Sequence, residues 1–431
     1  MTDRTAYTNA RLIDPATSTD APGSVLIEGN KIADWGAGLF ESGVPDNVRS
    51  IDCQGHCLTP GLIDIRVHLP EPGGEHKESF ETASAAAAAG GVTSIVCLPD
   101  GDTPIDNISV LEFIARRARE TNRVKIYAYG TITRDRKGGE LSEFGILSEA
   151  GALAFTDGDR ALADALVMRR ALSYAATFGF LLVQHPEEPR LSHNGQMNEG
   201  EMATRIGLAG IPAAAEVMMI ERDLRLVEMT GARYHAAHIS TAASVEVIRD
   251  AKKRGLSVTC DTAPHYFTLN DLSVMDYRTF TKVSPPLRDE SDRRAVVEGL
   301  RDGTIDIIAS DHRPQDQDSK RLPFLQAETG IVGLETLLPL TLALYHSEGI
   351  PLIDLVGRLT AAPAKLLDMK EGKLEAGRPA DFTIFDPDHD WTIEAHKLQS
   401  KSKNTPFDRY PVKGMAMCTI VGGRHVHSLF D

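Results

Sequence analysis

The central part of the chain alternates short apolar runs with longer segments of helical periodicity. The apolar runs are, in chain order, LIDIRVHL, VTSIVCLP, VKIYAYGTI, ALAFTD, FLLVQH, RYHAAHIS, SVTCDTA and IDIIASD. Segments such as ESFETASAAAAAG and AASVEVIRDAKKRG separate them. Nearly continuous apolar strands that alternate with helices predict a parallel sheet covered by helices, and eight such units form a closed barrel. An open doubly wound sheet is the alternative, which we disfavour because no glycine-rich phosphate fingerprint follows a strand.

Both ends of the chain show a different pattern, with short alternating runs broken by Gly, Pro and Asp. Residues 7–58 have this pattern, which is typical of a small antiparallel β structure. The C-terminal runs ADFTIFDPD and GMAMCTIVGGRHVH repeat it and turn through Gly422 and Gly423. Because domain termini often lie close together, the predicted fold is a TIM-type (β/α)₈ barrel over residues 59–370, with a small β-sandwich built from residues 1–58 and 371–431.

Composition narrows the choice of partners and compartment. The net charge of −15 over 431 residues argues against nucleic acid or an anionic membrane surface as a partner. No apolar run reaches the roughly 20 residues that cross a bilayer, and the polar start lacks the features of a signal peptide. Five cysteines, an odd number scattered through apolar segments, are typical of buried free thiols in a reducing compartment. We therefore expect a cytoplasmic protein.

Residues of metal-ligating type follow five of the eight predicted strands, at the end where barrel enzymes carry their active sites. These residues are His68, Asp157, His185, His238 and Asp311. A lone histidine is more often a core or surface residue bonded to backbone, but five such positions together indicate a hydrolytic zinc site. His235 lies three residues before His238, which places it on the other face of its strand. His265 and His312 lie beside these stronger candidates.

Several blocks of the chain resemble those of a known family. The blocks are PGLIDIRVHLPEPGGEHKESFETASAAAAAGGVTS, MNEGEMATRIGLAGIP, HAAHISTAASVEVIRDAKKRG, SPPLR, DGTIDIIASDH, GIVGLETLLPL and KSKNTPFD. Together they resemble class I dihydroorotases of the amidohydrolase superfamily, with hydantoinases and allantoinases as more distant relatives. The resemblance spans essentially the whole chain. It implies an oligomeric barrel protein whose two zinc ions open a cyclic amide in pyrimidine biosynthesis.

One metal ligand of that family is missing here. The ligands that the resemblance implies are a first-strand His-x-His pair, Asp157, His185, His238 and Asp311, with Asp311 also the catalytic general base. Arg66 replaces the first histidine, two residues before His68 and on the same strand face. A guanidinium has no lone pair for a metal, but it can neutralise the carboxylates of Asp157 and Asp311. That arrangement leaves Asp157, His185 and His238 to hold at most one zinc ion, whereas an Arg66 turned to solvent leaves the two-metal centre intact.

Four positions that bind substrate in the family also differ. The altered residues are Pro70 in place of the arginine of His-Leu-Arg-Glu-Pro-Gly, Asp100 in place of the asparagine of Met-Pro-Asn, Ser284 in place of the asparagine before Pro-Pro-Leu-Arg, and Gln315 in place of the second histidine of Asp-His-Ala-Pro-His. Arg313 stands where the family has alanine, and it is a candidate for a relocated anchor of an anionic substrate.

These observations support two hypotheses. The first is a catalytically impaired or non-catalytic dihydroorotase-like protein that serves as a structural partner of aspartate carbamoyltransferase, a role that the resemblance implies for inactive chains of this kind. The second is an active zinc-dependent hydrolase of a cyclic amide, of dihydroorotase, hydantoinase or allantoinase type. The altered positions all belong to one site, whereas the blocks that resemble the rest of the family are retained. This contrast favours the first hypothesis.

Overall fold

A parallel barrel forms the centre of the computed structural model, which describes residues 4–430. Its eight strands, in spatial order, are β6 (Leu62–Val67), β7 (Val92–Cys97), β8 (Lys125–Gly130), β9 (Ala152–Phe155), β10 (Leu181–Gln184), β13 (Arg233–Ala236), β14 (Val258–Thr262) and β15 (Ile307–Ile308). Each neighbouring pair is parallel. A bridge between Val67 and His312 joins the first strand to the segment that follows the last one. Every strand lies within a predicted apolar run, so the predicted barrel is confirmed.

Helices surround this barrel and connect its strands. They are α1 (Phe80–Ala89), α2 (Ile108–Thr121), α3 (Phe144–Glu149), α4 (Ala165–Phe178), α5 (Glu201–Ile206), α6 (Ala214–Thr230), α7 (Ala242–Lys253), α8 (Pro264–Thr268), α9 (Glu290–Arg301), α10 (Gln317–Lys320), α11 (Leu337–Glu348), α12 (Leu352–Leu359) and α13 (Ala361–Leu366). Local sequence sets their ends: Ser79 and Thr82 form a capping box on α1, and Asp164 caps α4. Among residues 4–430, no helix has the length and apolar character needed to cross a membrane.

Strands from both ends of the chain form a second sheet. They are β1 (Arg4–Asp14), β2 (Thr19–Glu28), β3 (Lys31–Gly36), β4 (Arg49–Asp52), β5 (Cys57–Pro60), β16 (Phe382–Thr392), β17 (Pro411–Val421) and β18 (Arg424–Ser428). The order is β18-β17-β16-β5-β1-β2-β3, and β4 also pairs with β1. Residues 1–3 and 431, which the expected terminal segments include, lie outside the described residues. A further short sheet pairs β11 (Met197–Asn198) with β12 (Gly210–Ile211).

The terminal sheet corrects one prediction and confirms another. It is mixed rather than antiparallel, because β1 pairs in parallel with both β4 and β5. The turn through Gly422 and Gly423 does join β17 to β18, and both glycines have the positive φ that a tight hairpin turn requires. Thr383 and Thr419 donate to carbonyls beside the barrel's second strand, at Gly91 and Ala88. These bonds attach the sheet to the barrel.

Candidate active site

The carboxyl ends of the barrel strands bring the predicted ligand positions into one buried region. All five predicted residues are buried there, together with Arg66, which is 2 % exposed. His238 and Asp311 have positive φ values of 36° and 49°, a conformation that such residues seldom adopt. Strain of this kind is concentrated at sites where surrounding structure dictates the direction of a side chain.

Arg66 lies at the centre of this region and points inward. Its Nε donates to Asp311 Oδ1 over 2.8 Å, and its Nη2 donates to His238 Nε2 over 3.0 Å. The alternative in which Arg66 turns to solvent is therefore wrong. The guanidinium links the first barrel strand to residues that follow the sixth and eighth.

The contacts of Arg66 also define the protonation of two histidines. A guanidinium can only donate, so His238 Nε2 must accept with its lone pair. His185 Nδ1 lies 2.8 Å from the same nitrogen, and it must therefore carry a hydrogen that it donates. The remaining proton of His238 is on Nδ1, which lies 3.5 Å from Asp311 Oδ2. His238 is thus a neutral imidazole, and His185 donates to it within a hydrogen-bonded chain.

Asp157 does not join this chain. The prediction that Arg66 lies between Asp157 and Asp311 is correct for Asp311 and wrong for Asp157. One oxygen of Asp157 accepts from the backbone N–H groups of Ile132 and Thr133, over 2.9 and 3.0 Å. The other accepts from the Thr133 hydroxyl over 2.6 Å. The loop after β8 therefore holds this carboxylate and uses three of its roughly four lone-pair positions.

Burial and ion pairing shift the pKa of Asp311 in opposite directions. Burial alone would raise the pKa of Asp311, but the adjoining His238 and Arg66 side chains hold it well below its ordinary value. Burial lowers the pKa of His238, and the positive charge of Arg66 adds to that effect. Burial also lowers the pKa of His185 well below its ordinary value, and the positive charge of Arg66 adds to that effect. At neutral pH the cluster is an aspartate and guanidinium pair with two neutral imidazoles.

Other charges at this end of the barrel are also paired within the protein. His68 Nδ1 lies 2.5 Å from Asp100 Oδ2. Arg313, the candidate relocated anchor, donates to Asp159 Oδ2 over 2.6 Å, and Arg136 binds the other oxygen of Asp159. Burial would raise the pKa of Asp159, but these two arginines lower it instead. Arg313 is therefore already paired with a carboxylate of this chain.

The altered substrate positions lie in part around one cavity. A cavity of about 270 Å³ is lined by Pro70, Asp100 and Gln315, together with His68 and Arg313. Gln315 uses its amide nitrogen to donate to the Thr329 carbonyl over 2.9 Å. Ser284 is not part of that lining. It lies beside Glu187, a half-buried carboxyl that lines a separate cavity with Asp157 and His185.

Sequence reasoning missed several residues that support the site. Asp261 accepts from the His238 backbone N–H and also contacts His235 Nε2 over 2.7 Å. His235 therefore helps to position His238 through Asp261. His265 lies 3.9 Å from Asp311, and burial lowers its pKa to about 4. Thr133 and Asp159 were likewise not singled out. The spacing of Asp159, two residues after Asp157, was the signal available for it.

The residues present do not fit a metal ion while Arg66 occupies its position. Ligation needs free lone pairs, but the single lone pair of His238 Nε2 accepts from Arg66 and His185, and Asp157 already accepts three hydrogen bonds from Ile132 and Thr133. A divalent cation beside Arg66 would also place like charges together in a buried site. Among residues 4–430, no group of three or more His, Cys, Asp or Glu side chains is arranged to hold a metal.

Comparison with known proteins shows to which family this chain belongs. A family described as dihydro-orotase-like matches residues 55–244. A dihydroorotase of Anaplasma phagocytophilum is 46 % identical over 425 residues, covering 98 % of this chain and 95 % of the relative. One of Syntrophotalea carbinolica is 46 % identical over 424 residues, covering 98 % and 99 %. The chain belongs to the dihydroorotase family.

Solved structures show how far the fold of this dihydroorotase homologue is shared. The L-hydantoinase (dihydropyrimidinase) from Arthrobacter aurescens superposes with a TM-score of 0.86 at 26 % identity, covering 100 % of this chain and 97 % of that one. The dihydropyrimidinase from Brevibacillus agri gives 0.84 at 23 % identity, covering 99 % and 95 %, which shows a common fold alone. The dihydroorotase-like chain thus keeps the complete architecture of these hydrolases.

Proposed function

We propose that this chain is a dihydroorotase homologue that does not hydrolyse dihydroorotate and is retained for its structure. The observation that carries the proposal is Arg66, whose guanidinium bonds both Asp311 and His238 in the centre of the strand-end site. Asp311, the residue that the resemblance makes the general base, is held by this ion pair. The charges that a metal centre would balance are balanced by side chains of the chain itself.

Metal content gives the most direct test of this proposal. We expect the purified protein to retain fewer than one tightly bound zinc ion per chain after dialysis, because Arg66 places a buried positive charge at the site and, with His185, occupies the lone pair of His238 Nε2. Arg66→His should raise the zinc content, since it removes a buried charge and supplies a ligand. Elemental analysis of both proteins measures the difference.

The outcome that contradicts the metal prediction is clear. Two stoichiometric zinc ions in the wild-type protein would require Arg66 to leave its partners. That result would restore the hypothesis of an intact two-metal centre. Hydrolysis of dihydroorotate, a hydantoin or another cyclic amide or imide by the purified wild-type protein would favour the active-hydrolase hypothesis instead. A screen of these substrates with added zinc separates the two hypotheses.

We further propose that the structural role is partnership with aspartate carbamoyltransferase in an oligomeric, cytoplasmic complex. The support is the resemblance to inactive chains of this kind, together with two exposed leucines. Leu272 and Leu325 are 52 % and 59 % exposed, on two segments that contribute Val274 and Phe324 to one hydrophobic cluster. Exposed apolar side chains are typical of interaction surfaces where they form one patch, and we propose that these two segments supply the contact. The five buried free thiols suit a reducing compartment.

Co-expression tests this partnership. We expect this chain and the aspartate carbamoyltransferase of the same organism to elute together in size-exclusion chromatography at micromolar concentration. Leu272→Asp with Leu325→Asp should weaken the complex, because each places a charge within an apolar contact. Leu166→Asp is the matched control, since Leu166 is 52 % exposed on α4 instead. Separate elution of the two wild-type proteins would argue against the partnership.

A further inference from the structure

A third cavity lies at the opposite end of the barrel from the candidate active site. Its volume is about 410 Å³, and Leu181, Arg233, Val258 and Ile307 line it from the first positions of four barrel strands. Helices α12 and α13 complete its wall through Arg358 and neighbouring residues. None of these residues belongs to the cluster around Arg66.

The charge of this cavity is unlike that of the protein as a whole. Three basic side chains line it, namely Arg233, Arg358 and Lys365, although the chain carries a net charge of −15. Asp306 is the acidic residue of the lining, and both of its oxygens contact Lys252 Nζ over 2.6 Å. Asp306 also accepts from the backbone N–H of Cys260. Its negative charge is therefore satisfied outside the cavity.

Arg358 is a guanidinium without a matching anion. One of its nitrogens, Nη2, donates to the Leu300 carbonyl, and its buried Nε has no hydrogen-bond partner among the described residues. Burial lowers the pKa of Arg358, and the charges of Asp354 and Asp306 do not offset this effect. Arginine nevertheless stays protonated at neutral pH. The side chain is half-buried, and a partly buried charge without its own anion favours the approach of one.

The other two basic residues lie where they can share such an anion. Arg233 binds the carbonyls of Gly179 and Leu366, and its ion pair with Asp368 is weak because the Asp368 side chain is 78 % exposed. Lys365 is an exposed residue of α13 that also lines the cavity. Two guanidinium groups with one ammonium group match the several oxygens of a phosphate.

The rest of the cavity wall can accommodate a ligand that is larger than a phosphate group. Leu256, Val258 and Ala362 give the cavity apolar surface beside its charged part. Its volume falls within the roughly 300–1,000 Å³ typical of pockets for small organic ligands. We propose that this cavity binds a phosphate ester of a small organic group, with the phosphate at Arg233, Arg358 and Lys365 and the organic part against the apolar wall.

Calorimetric titration with three probes tests this assignment: phenyl phosphate, inorganic phosphate and phenol. We expect phenyl phosphate to bind more tightly than inorganic phosphate, and phenol not to bind at millimolar concentration. Lys365→Glu should weaken phenyl phosphate binding at least about tenfold, since it reverses a charge that contacts the phosphate. Lys413→Glu is the matched control because Lys413 lies on β17 of the terminal sheet, and it should leave the affinity unchanged.

A second variant guards against a purely structural effect. Arg358→Met removes the unpartnered guanidinium and should also weaken binding about tenfold, whether or not it changes thermal stability. Absence of binding by both phosphate probes would overturn the proposal. Equal weakening by Lys365→Glu and Lys413→Glu would also overturn it, because the effect would then be one of net charge. Equal affinity for the two phosphate probes would overturn the organic part of the assignment.

Discussion

Arg66→His will not produce useful dihydroorotase turnover, even where it restores a bound metal. Dihydroorotate carries a carboxylate, and the two anchors that the resemblance implies for it are replaced in this chain by Pro70 and Asp100. Hydrogen bonds to charged groups contribute about 1.5–3 kcal/mol each. Burial would raise the pKa of Asp100, but the neighbouring His68 lowers it, so Asp100 is ionised and cannot donate a hydrogen bond to that carboxylate.

The size of the deficit follows from adding these effects. Asp100 already pairs with His68, so the deficit counts the two lost hydrogen bonds alone. At about 1.5–3 kcal/mol each, their total is at least about 3 kcal/mol, or more than about a hundredfold in rate. A restored metal would not replace this lost binding and orientation.

The experiment compares three variants with zinc supplied. The first is Arg66→His alone, and the second combines it with Pro70→Arg, Asp100→Asn, Ser284→Asn and Gln315→His. The third carries the four anchor changes without Arg66→His, which separates substrate binding from metal binding. We expect turnover of dihydroorotate in the second alone. Turnover typical of the family from Arg66→His by itself would contradict the argument.

Arg66→Met should lower the free energy of unfolding at pH 7 by about 3–5 kcal/mol, because it leaves Asp311 buried without its ionic partner. Arg11→Met is the matched control, since Arg11 pairs with Asp20 at the surface, where their side chains are 39 % and 33 % exposed. Loss of such a pair costs at most about 1 kcal/mol. Urea denaturation of the wild-type and variant proteins measures both changes.

The pH dependence of the same variants has a definite sign. In the wild-type protein the depressed pKa of Asp311 contributes stability that is present above its unfolded pKa of about 3.9 and lost as the pH falls below it. In Arg66→Met, burial should raise the pKa of Asp311. The difference in the free energy of unfolding between the wild-type and variant proteins should therefore shrink as the pH falls from 7 to about 5. Adding Asp311→Asn should recover part of the loss at pH 7. Equal losses from Arg66→Met and Arg11→Met would contradict a buried ion pair.

The barrel and its strand-end residues were predictable because they depend on short-range periodicity. Each strand is an apolar run, and parallel strands must bring their carboxyl ends to one side. The strand period of two was also enough to predict that Arg66 points inward with His68. The contact with Asp311 followed from charge, since a buried guanidinium needs an anion.

Loop geometry explains what the sequence left undecided. Asp157 binds Thr133 because the segment after β8 folds back over the end of β9, and no periodicity encodes such a turn. The pair of Arg313 with Asp159 joins two loops 154 residues apart. Parallel pairing of β1 with β4 and β5 depends on how a connection crosses the sheet, which alternation of residues does not determine.

The position of β16 in the terminal sheet has a consequence for synthesis on the ribosome. This strand lies between β5 and β17, so the N-terminal strands keep an open edge at β5 until residues 382–392 have been translated. An exposed strand edge is a template for pairing with other chains. Nascent or prematurely terminated chains are therefore the form of this protein most in need of chaperones, and release of the completed C-terminus is the event that closes this edge.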